Sequence, residues 1–388
     1  MEAGYDRTWA EIRLDNIEYN VSEVKSIVGN KTKIMAVIKA NAYGHGAFKV
    51  AETLLNNGIE RLAVATLDEA VQLRQKGCTA PIQILGHTFP GKAEIILNYD
   101  LIQTIFNMEL AKELSYLAQK MGKKAKVHIK INTGMNRVGF QTCENTVKLI
   151  MEISRLPSLE IEGIMTHFAT ADEKDSCAVL TQFEKFMCFC RELEKVDVHI
   201  PIKHVANSAA LVKFPEMRLD MVRPGIILYG LYPNSDIDRD LISLKPVMSL
   251  KANIVSISNI SENEYLSYGR KYKTSKESCI ATVPIGYADG YSRLNSNNGR
   301  VIVREGYAPV VGTVCMDFCL IDITGWKDRI AIGDQVVLLG SEGDAEVSAE
   351  ELAEHTGTIA YEVVCKIGMR VPRVYIKHGK VTEIENYI

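Results

Sequence analysis

The stretch IMAVIKANAYGHG, Ile34–Gly46, decides the fold. Its first five residues, Ile34–Ile38, are apolar without alternation, the pattern of a strand buried on both faces. No G-x-G-x-x-G follows, which counts against a dinucleotide-binding fold. A lysine, Lys39, ends the run instead. Similar runs recur at Leu62–Ala65, Ile82–Leu85, Leu101–Ile105, Lys126–Ile131, Ile161–Thr166, Ile202–Val205 and Leu219–Val222. The segments between them read as helices. Thr66 and Glu69 predict a capping box and Gly77 closes that helix. Met108–Met121 predicts another, and the connection after the seventh strand has room only for a stubby one. Eight β-then-α units in about 230 residues predict a TIM (β/α)8 barrel, with an open doubly wound sheet as the second choice.

After about residue 243 the pattern changes to strands joined by turns rich in Gly, Asp and Asn. Strands are expected at Lys251–Ile257, Cys279–Val283, Val301–Arg304, Val310–Val314, Cys319–Ile323 and Gln335–Leu339. One helix signal stands among them, Ser348–His355, with a Ser348–Glu351 capping box and Gly357 past its end. The expected organisation is therefore an α/β barrel over residues 11–242, followed by a mostly-β domain over 243–388 that residues 1–10 join.

The 388 residues are 47% hydrophobic and 24% charged, with a net charge of -3. That balance excludes a disordered tail or a small disulfide scaffold, and shows no nucleic-acid or membrane-surface footprint. No apolar run reaches the roughly 18 residues of a membrane span. The start, MEAGYDRTWAEI, lacks the apolar stretch of a signal peptide. The nine cysteines form no C-x-x-C pair, and Cys188 and Cys190 lack partners at metal-binding spacing. A reduced, cytoplasmic chain without a metal is expected.

In such a barrel, function sits at the C-terminal ends of the strands. Lys39 follows strand one. Lys130 and then Arg137 (NTGMNRVG) follow strand five, and His167 (MTHFATAD) follows strand six. Asn207 and Ser208 (HVANSAA) follow strand seven, and Arg223 (MVRPGIILYG) follows strand eight. Each is weak alone, but together they converge on one barrel mouth. The set suits pyridoxal phosphate. A lysine there can bond covalently to its aldehyde, and the loops after strands seven and eight can hold its phosphate. Ser208, Gly225 and Ile226 are the candidates for that phosphate, and Tyr43 adds a phenolic donor.

The chain resembles the alanine racemases over nearly its whole length. The ordered motifs are AVIKANAYGHG, HVANSAA, MVRPGIILYG, SYG, TVPIGYADGYSR and VCMD. The resemblance implies that Lys39 carries the cofactor and is one of two catalytic bases, with Tyr268 the other. Lys39 would take the proton from the D-substrate and Tyr268 from the L-substrate. Two bases on opposite faces spare either one a swing around the plane. Positive neighbours, His167 and Arg137, would make a tyrosine of ordinary pKa about 10 basic enough. Arg223 would face the pyridine nitrogen, which a guanidinium leaves unprotonated, and His167 would orient it. Arg137, Tyr287 and the Met316 N–H would hold the substrate. Lys130 matches a lysine that is carbamylated in some members and braces the arginine. Asn136 stands where the family often has Gly, and tolerates a left-handed turn. The resemblance further implies a homodimer in which the β domain of one subunit completes the barrel site of the other, and a role in supplying D-alanine for peptidoglycan.

Two positions depart from the family. Met369 stands where many members have a tyrosine beside the phosphate, and Thr313 where many have an arginine on the access path. These keep open a serine racemase, or a broad serine and alanine racemase, of the vancomycin-resistance type. Barrel-type decarboxylases, non-enzymatic cofactor-binding barrels and a retired scaffold are less favoured, because no GGG occurs and the β domain carries Tyr268. Asp289 reads as a turn residue, Tyr265 and Tyr272 as strand packing, and Asp172–Asp175 as a solvated loop.

Overall fold

The computed structural model describes residues 6–234, 236–326 and 329–387. They divide into two compact units. The barrel unit holds Ile17–Ala42 and Ala47–Lys245; the β unit holds the chain through Asn16, Tyr43–Gly46 and everything from Pro246. Part of the expectation for residues 1–10 falls on residues 1–5, outside the described residues.

Eight parallel strands build the barrel unit: Lys33–Val37, Arg61–Val64, Ile82–Ile84, Ile102–Ile105, Ala125–Asn132, Leu159–Met165, Ile202–His204 and Met221–Val222. They pair in chain order, and the eighth returns to the first in the register Met221↔Lys33 and Val222↔Ile34. That return excludes the open sheet. Between strands seven and eight the ladder gives way to isolated bonds. Asp220 N donates to Lys203 O at 3.2 Å and Arg223 N to Ala206 O at 2.9 Å, while the Asp220 carboxylate accepts from Lys203 N at 2.7 Å. The barrel is nearly closed, and its splayed seam is where Arg223 enters. Thr66 and Glu69 make both halves of their capping box. The connection after strand seven holds a helix of six residues, Ser208–Lys213.

In the β unit one sheet runs in the order Gly306–Pro309, Arg300–Val303, Gln335–Glu342, Met248–Asn253, Thr8–Arg13, Arg373–Lys377, Lys380–Glu385, with Ala345–Val347 paired to Gln335–Glu342. The strand Thr8–Arg13 lies antiparallel to Met248–Asn253 and parallel to Arg373–Lys377. A three-stranded sheet joins Ser256–Ile260, Ser278–Val283 and Cys319–Asp322, and a short hairpin pairs Tyr265–Leu266 with Tyr272–Lys273. Arg373 is fully buried, and its guanidinium donates to the carbonyls of Gly44, Gly368, Val371 and Ile367. Such carbonyls are what make a buried cation tolerable.

Three expectations for this unit need correction. Val310–Val314 is not a strand; Val310 makes one isolated bridge to Ile321. Lys251–Ile257 spans two strands, which break at Ile254 and Val255. The helix Ala349–Thr356 is capped by Ser348, but the Glu351 carboxylate turns to Arg300 at 2.8 and 2.9 Å. A second helix, Ala360–Cys365, carried no capping signal: its N-cap is Ile359, with no side-chain bond.

Asp289 does more than shape a turn. Its fully buried carboxylate takes Arg7 at 2.8 Å, Arg370 at 2.8 Å and the Gly286 N–H at 2.9 Å. Removing it leaves Arg7 without its carboxylate, takes one of two from Arg370, which keeps Asp317 at 2.6 Å, and leaves the Gly286 N–H without its acceptor. Because both arginines keep some solvent, Asp289→Ala is expected to lower unfolding stability by about 2–3 kcal/mol, less than a fully buried pair would lose. Urea denaturation checks this, and a loss within experimental error would refute the bracing role.

Candidate active site

Lys39 ends the first barrel strand and opens a left-handed turn. Ala40, Asn41, Ala42 and Tyr43 all have φ of 53–54°. Left-handed backbone costs roughly 1–2 kcal/mol per non-glycine residue, so four in succession need holding. Ala42 N donates to Ile38 O at 2.9 Å, Asn41 Oδ1 accepts from Ala47 N at 2.7 Å, and Glu69 accepts from Ala40 N. The carboxylate that closes the capping box thus also fixes the turn after Lys39.

Arg223 is buried, and its two terminal nitrogens are fully engaged. Nη1 donates to His204 Nδ1 at 3.0 Å and His204 O at 2.9 Å. Nη2 donates to Thr166 O at 2.7 Å, Val205 O at 3.0 Å and His167 Nδ1 at 3.3 Å. Among the described residues Nε has no partner. Burial pulls the guanidinium down to about 9, still charged at neutral pH. His167 meets Arg223 as expected, but not as a cation. Burial, then Arg223, Lys130, Arg137 and Lys39, hold it far below its ordinary range. A neutral His167 lends no positive charge to a tyrosine, and that part of the reading is corrected.

Lys130 is buried on strand five, and its side-chain amine makes no hydrogen bond or ion pair among the described residues. Burial, then Arg137, Arg223 and Lys39, lower its pKa from 10.5 to about 8. Arg137 follows on an exposed loop, likewise unpaired. Asn132 Oδ1 shapes that loop by accepting from Gly134 N at 3.2 Å and Asn136 N at 2.9 Å. Asn136 adopts φ 54°, the left-handed turn its amide tolerates. Four cations, Lys39, Lys130, Arg137 and Arg223, therefore gather at this mouth, a setting for anions.

The loops after strands seven and eight meet here. Ser208 Oγ accepts from Gly225 N at 2.8 Å, and Asn207 Oδ1 caps the next helix through Ala210 N at 2.9 Å. The short helix Ile226–Tyr229 begins just past Gly225.

In the β unit the remaining candidates form one loop cluster. Tyr268 sits at the hairpin tip, 74% exposed, after Ser267 at φ 60°. Thr313 Oγ1 donates to Tyr268 O at 2.7 Å, and Ser267 Oγ donates to Thr313 O at 2.6 Å. Thr313, noted in the sequence only as a departure, thus clamps the tyrosine backbone. Tyr287 N donates to Cys315 O and Ala288 N to Met316 O, both at 3.1 Å. The Met316 N–H has no partner among the described residues. The Tyr43 and Tyr361 ring centroids lie 6.1 Å apart. Tyr361, which the sequence reading did not single out, stands beside Tyr43; Met369 is 62% exposed. Tyr265 is not simply packing: Arg270 stacks 4.2 Å over its ring.

Sequence reading also ran past His128 and Glu162. Each lies inside a strand otherwise taken as apolar, and a polar group there signals internal pairing.

Residues 12–233 match the family model described as "Alanine racemase, N-terminal domain", and residues 247–375 match "Alanine racemase, C-terminal domain". The chain is 50% identical over 380 residues to the alanine racemase of Clostridium perfringens, covering 98% of each protein. It is 49% identical over 381 residues to that of Clostridium tetani, again covering 98% of each. A solved structure of alanine racemase from Clostridium difficile 630 superimposes with a TM-score of 0.95 at 42% identity, covering all of both chains.

The depressed Lys130 has a consequence for stability. Between pH 8 and 10.5 the unfolded chain binds the proton that the folded chain has lost, so stability rises with pH across that window. Below the window the wild type carries the full penalty of a buried cation. In carbon-dioxide-free buffer Lys130→Met is expected to be more stable by up to about 3 kcal/mol at neutral pH, with the gain fading towards pH 10.5. Denaturation curves across pH check it; a gain that does not depend on pH would contradict the assignment.

Proposed function

The chain belongs to the alanine racemase family and is an isomerase; from that premise we propose that it interconverts L- and D-alanine with pyridoxal phosphate. The observation that carries this reading is the barrel mouth itself: Lys39 and a buried Arg223 both close enough to His167 and Lys130 to act on their charge, with Arg223 Nε alone left to donate. When bound, pyridoxal phosphate would supply the electron sink that makes the α-proton of an amino acid removable.

The residues present fit that group. Arg223 Nε is a donor without a partner, matched to a ring nitrogen that only accepts. The Ser208 hydroxyl, Asn207, the Gly225 and Ile226 backbone and the Tyr43 phenol suit a phosphate. Tyr43 stays protonated, because burial and then Tyr361 and Cys365 raise its pKa. His167 orients Arg223 as a neutral acceptor. No acidic partner faces Arg223 among the described residues, so nothing would press a proton onto the ring, and proton return to the α-carbon would be favoured over side reactions.

Lys39 moves the proton of the D-enantiomer and Tyr268 that of the L-enantiomer. Arg137 and the Met316 N–H bind the substrate carboxylate, and Tyr287 helps to hold the substrate. Lys130 is proposed to be carbamylated. Its lowered pKa exposes the free amine that carbon dioxide needs, and a carbamate would give Arg137 an anion where it otherwise faces only cations.

A homodimer completes the proposal. Tyr268, Tyr287, Met316 and Met369 are all exposed, and a second copy bringing its barrel mouth to this loop cluster would cover them. The domain boundaries proposed are 11–242 and 243–388, with residues 1–10 joining the second. We place the enzyme in the cytoplasm, where it supplies D-alanine for peptidoglycan. Among the described residues no helix is long and apolar enough to cross a membrane. Alanine is preferred over serine because the relatives that the chain matches over 98% of its length are alanine racemases.

Chiral chromatography after incubation with L-alanine or L-serine tests the substrate; greater turnover of serine would overturn alanine. Lys39→Ala is expected to lose the cofactor absorbance near ~420 nm together with activity. Tyr268→Phe should keep the absorbance and lose racemisation by about a hundredfold or more, and full activity there would sink the two-base mechanism. With labelled bicarbonate, carbon-13 NMR should show a carbamate signal that Lys130→Ala lacks. If the native protein gives no such signal, Lys130 is not carbamylated.

A further inference from the structure

The hydrogen bonding that holds Arg223 does not stop at His204. His204 Nε2 lies 2.8 Å from His128 Nδ1, and His128 Nε2 lies 2.9 Å from Glu162 Oε2. Glu162 in turn takes two bonds from Arg61, at 2.7 and 2.9 Å. Five side chains from strands two, five, six, seven and the end of strand eight form one line, and both imidazoles are fully buried.

Donor counting fixes every proton along it. A guanidinium only donates, so His204 Nδ1, facing Arg223 Nη1, must be bare. A carboxylate paired in parallel with Arg61 only accepts, so His128 Nε2 must carry a proton. One hydrogen is left for the contact between the rings. It sits on His204 Nε2 and points at a bare His128 Nδ1. Each imidazole is neutral, with its proton on Nε2. Burial works in the same direction, holding both rings below the ordinary histidine range. Burial opposes ionisation of Glu162, but its bonds from Arg61 and His128 outweigh this and keep it ionised.

Two backbone features build the line. The pairing of strands five and six shifts register between Val127 and His128: Val127 faces Ile161 and His128 faces Gly163, leaving Glu162 as an extra residue. Such a bulge re-aims a side chain and is rare in parallel pairs. At Gly163 a Cβ would lie 2.4 Å from His128 Nδ1, so only glycine leaves room for the ring.

We propose that Glu162 is a positioning residue for Arg223, acting through His128 and His204 to set the tautomer of both rings and so present an acceptor to the guanidinium. Without that anion His128 is free to carry its proton on Nδ1 and donate to His204. His204 then carries its own proton on Nδ1, against an Arg223 N–H only 3.0 Å away. Two donors face each other and Arg223 is pushed from its place. The functional consequence rests on the reading in which Arg223 serves the cofactor.

The test is a long-range proton–nitrogen correlation spectrum of the full-length, cofactor-loaded protein with ring-labelled histidine, at neutral pH. Wild type is expected to show His128 and His204 both protonated on Nε2 alone. Glu162→Gln is expected to add an Nδ1-protonated His204 signal and to lower kcat about tenfold with KM little changed. A wild-type spectrum with either ring doubly protonated, or protonated on Nδ1, overturns the proposal, whether or not the variant folds. So does a Glu162→Gln spectrum with unchanged tautomers. The tautomers are read without any turnover, so a wild type that fails to racemise alanine counts against the function, not against this line of protons.

Discussion

A guanidinium taken out of water is the constraint on which the barrel unit depends. Arg223 lies at the splayed seam between strands seven and eight, and a cation there is tolerable only if its hydrogens are matched. The matching comes from strand ends: the carbonyls of Thr166, His204 and Val205, and the ring nitrogens of His167 and His204. Because these partners sit at the C-terminal ends of strands six and seven, satisfying Arg223 also fixes the mouth. The one donor left over, Nε, is the group that the proposed cofactor contact would use.

The same mouth is electrostatically lopsided. Lys39, Lys130, Arg137 and Arg223 gather here, no acidic side chain pairs with Lys130, Arg137 or Arg223 among the described residues, and the result is a depressed Lys130 and a neutral His167. A protein built only for stability would put a carboxylate among them. The compensating carboxylate lies further along, at Glu162, and reaches Arg223 only through two neutral imidazoles. Charge is thus balanced over a distance, and the mouth itself stays positive, as the proposed anionic ligands would require.

Strain is placed where the two proposed bases stand. Lys39 precedes four left-handed residues, and Tyr268 follows a left-handed Ser267. In each case side chains hold the backbone: Glu69 and Asn41 at the first, Thr313 and Ser267 at the second. Fixing a base on a held turn keeps its reach constant, which proton transfer demands.

Much of this was legible in the sequence. The eight apolar runs located all eight barrel strands within a few residues, because a strand buried on both faces has no other way to read. Lys39, Arg223 and Ser208 were legible because each follows such a run. The β unit was harder. Val310–Val314 looks like a strand but finds only one bridge, and Glu351 looks like half a capping box but turns to Arg300, since partners distant in sequence outcompete local ones. His128 and Glu162 were invisible inside runs that seemed apolar, and Thr313 looked like a mere departure. Composition and periodicity by themselves determined the barrel, its strands and the residues at its mouth, because burial dictates pattern. Only the tertiary structure decided that Glu162 sits in a bulge, that His167 is neutral and that Arg223 keeps a single free donor, because proton positions depend on which polar groups the fold brings within 3 Å of one another.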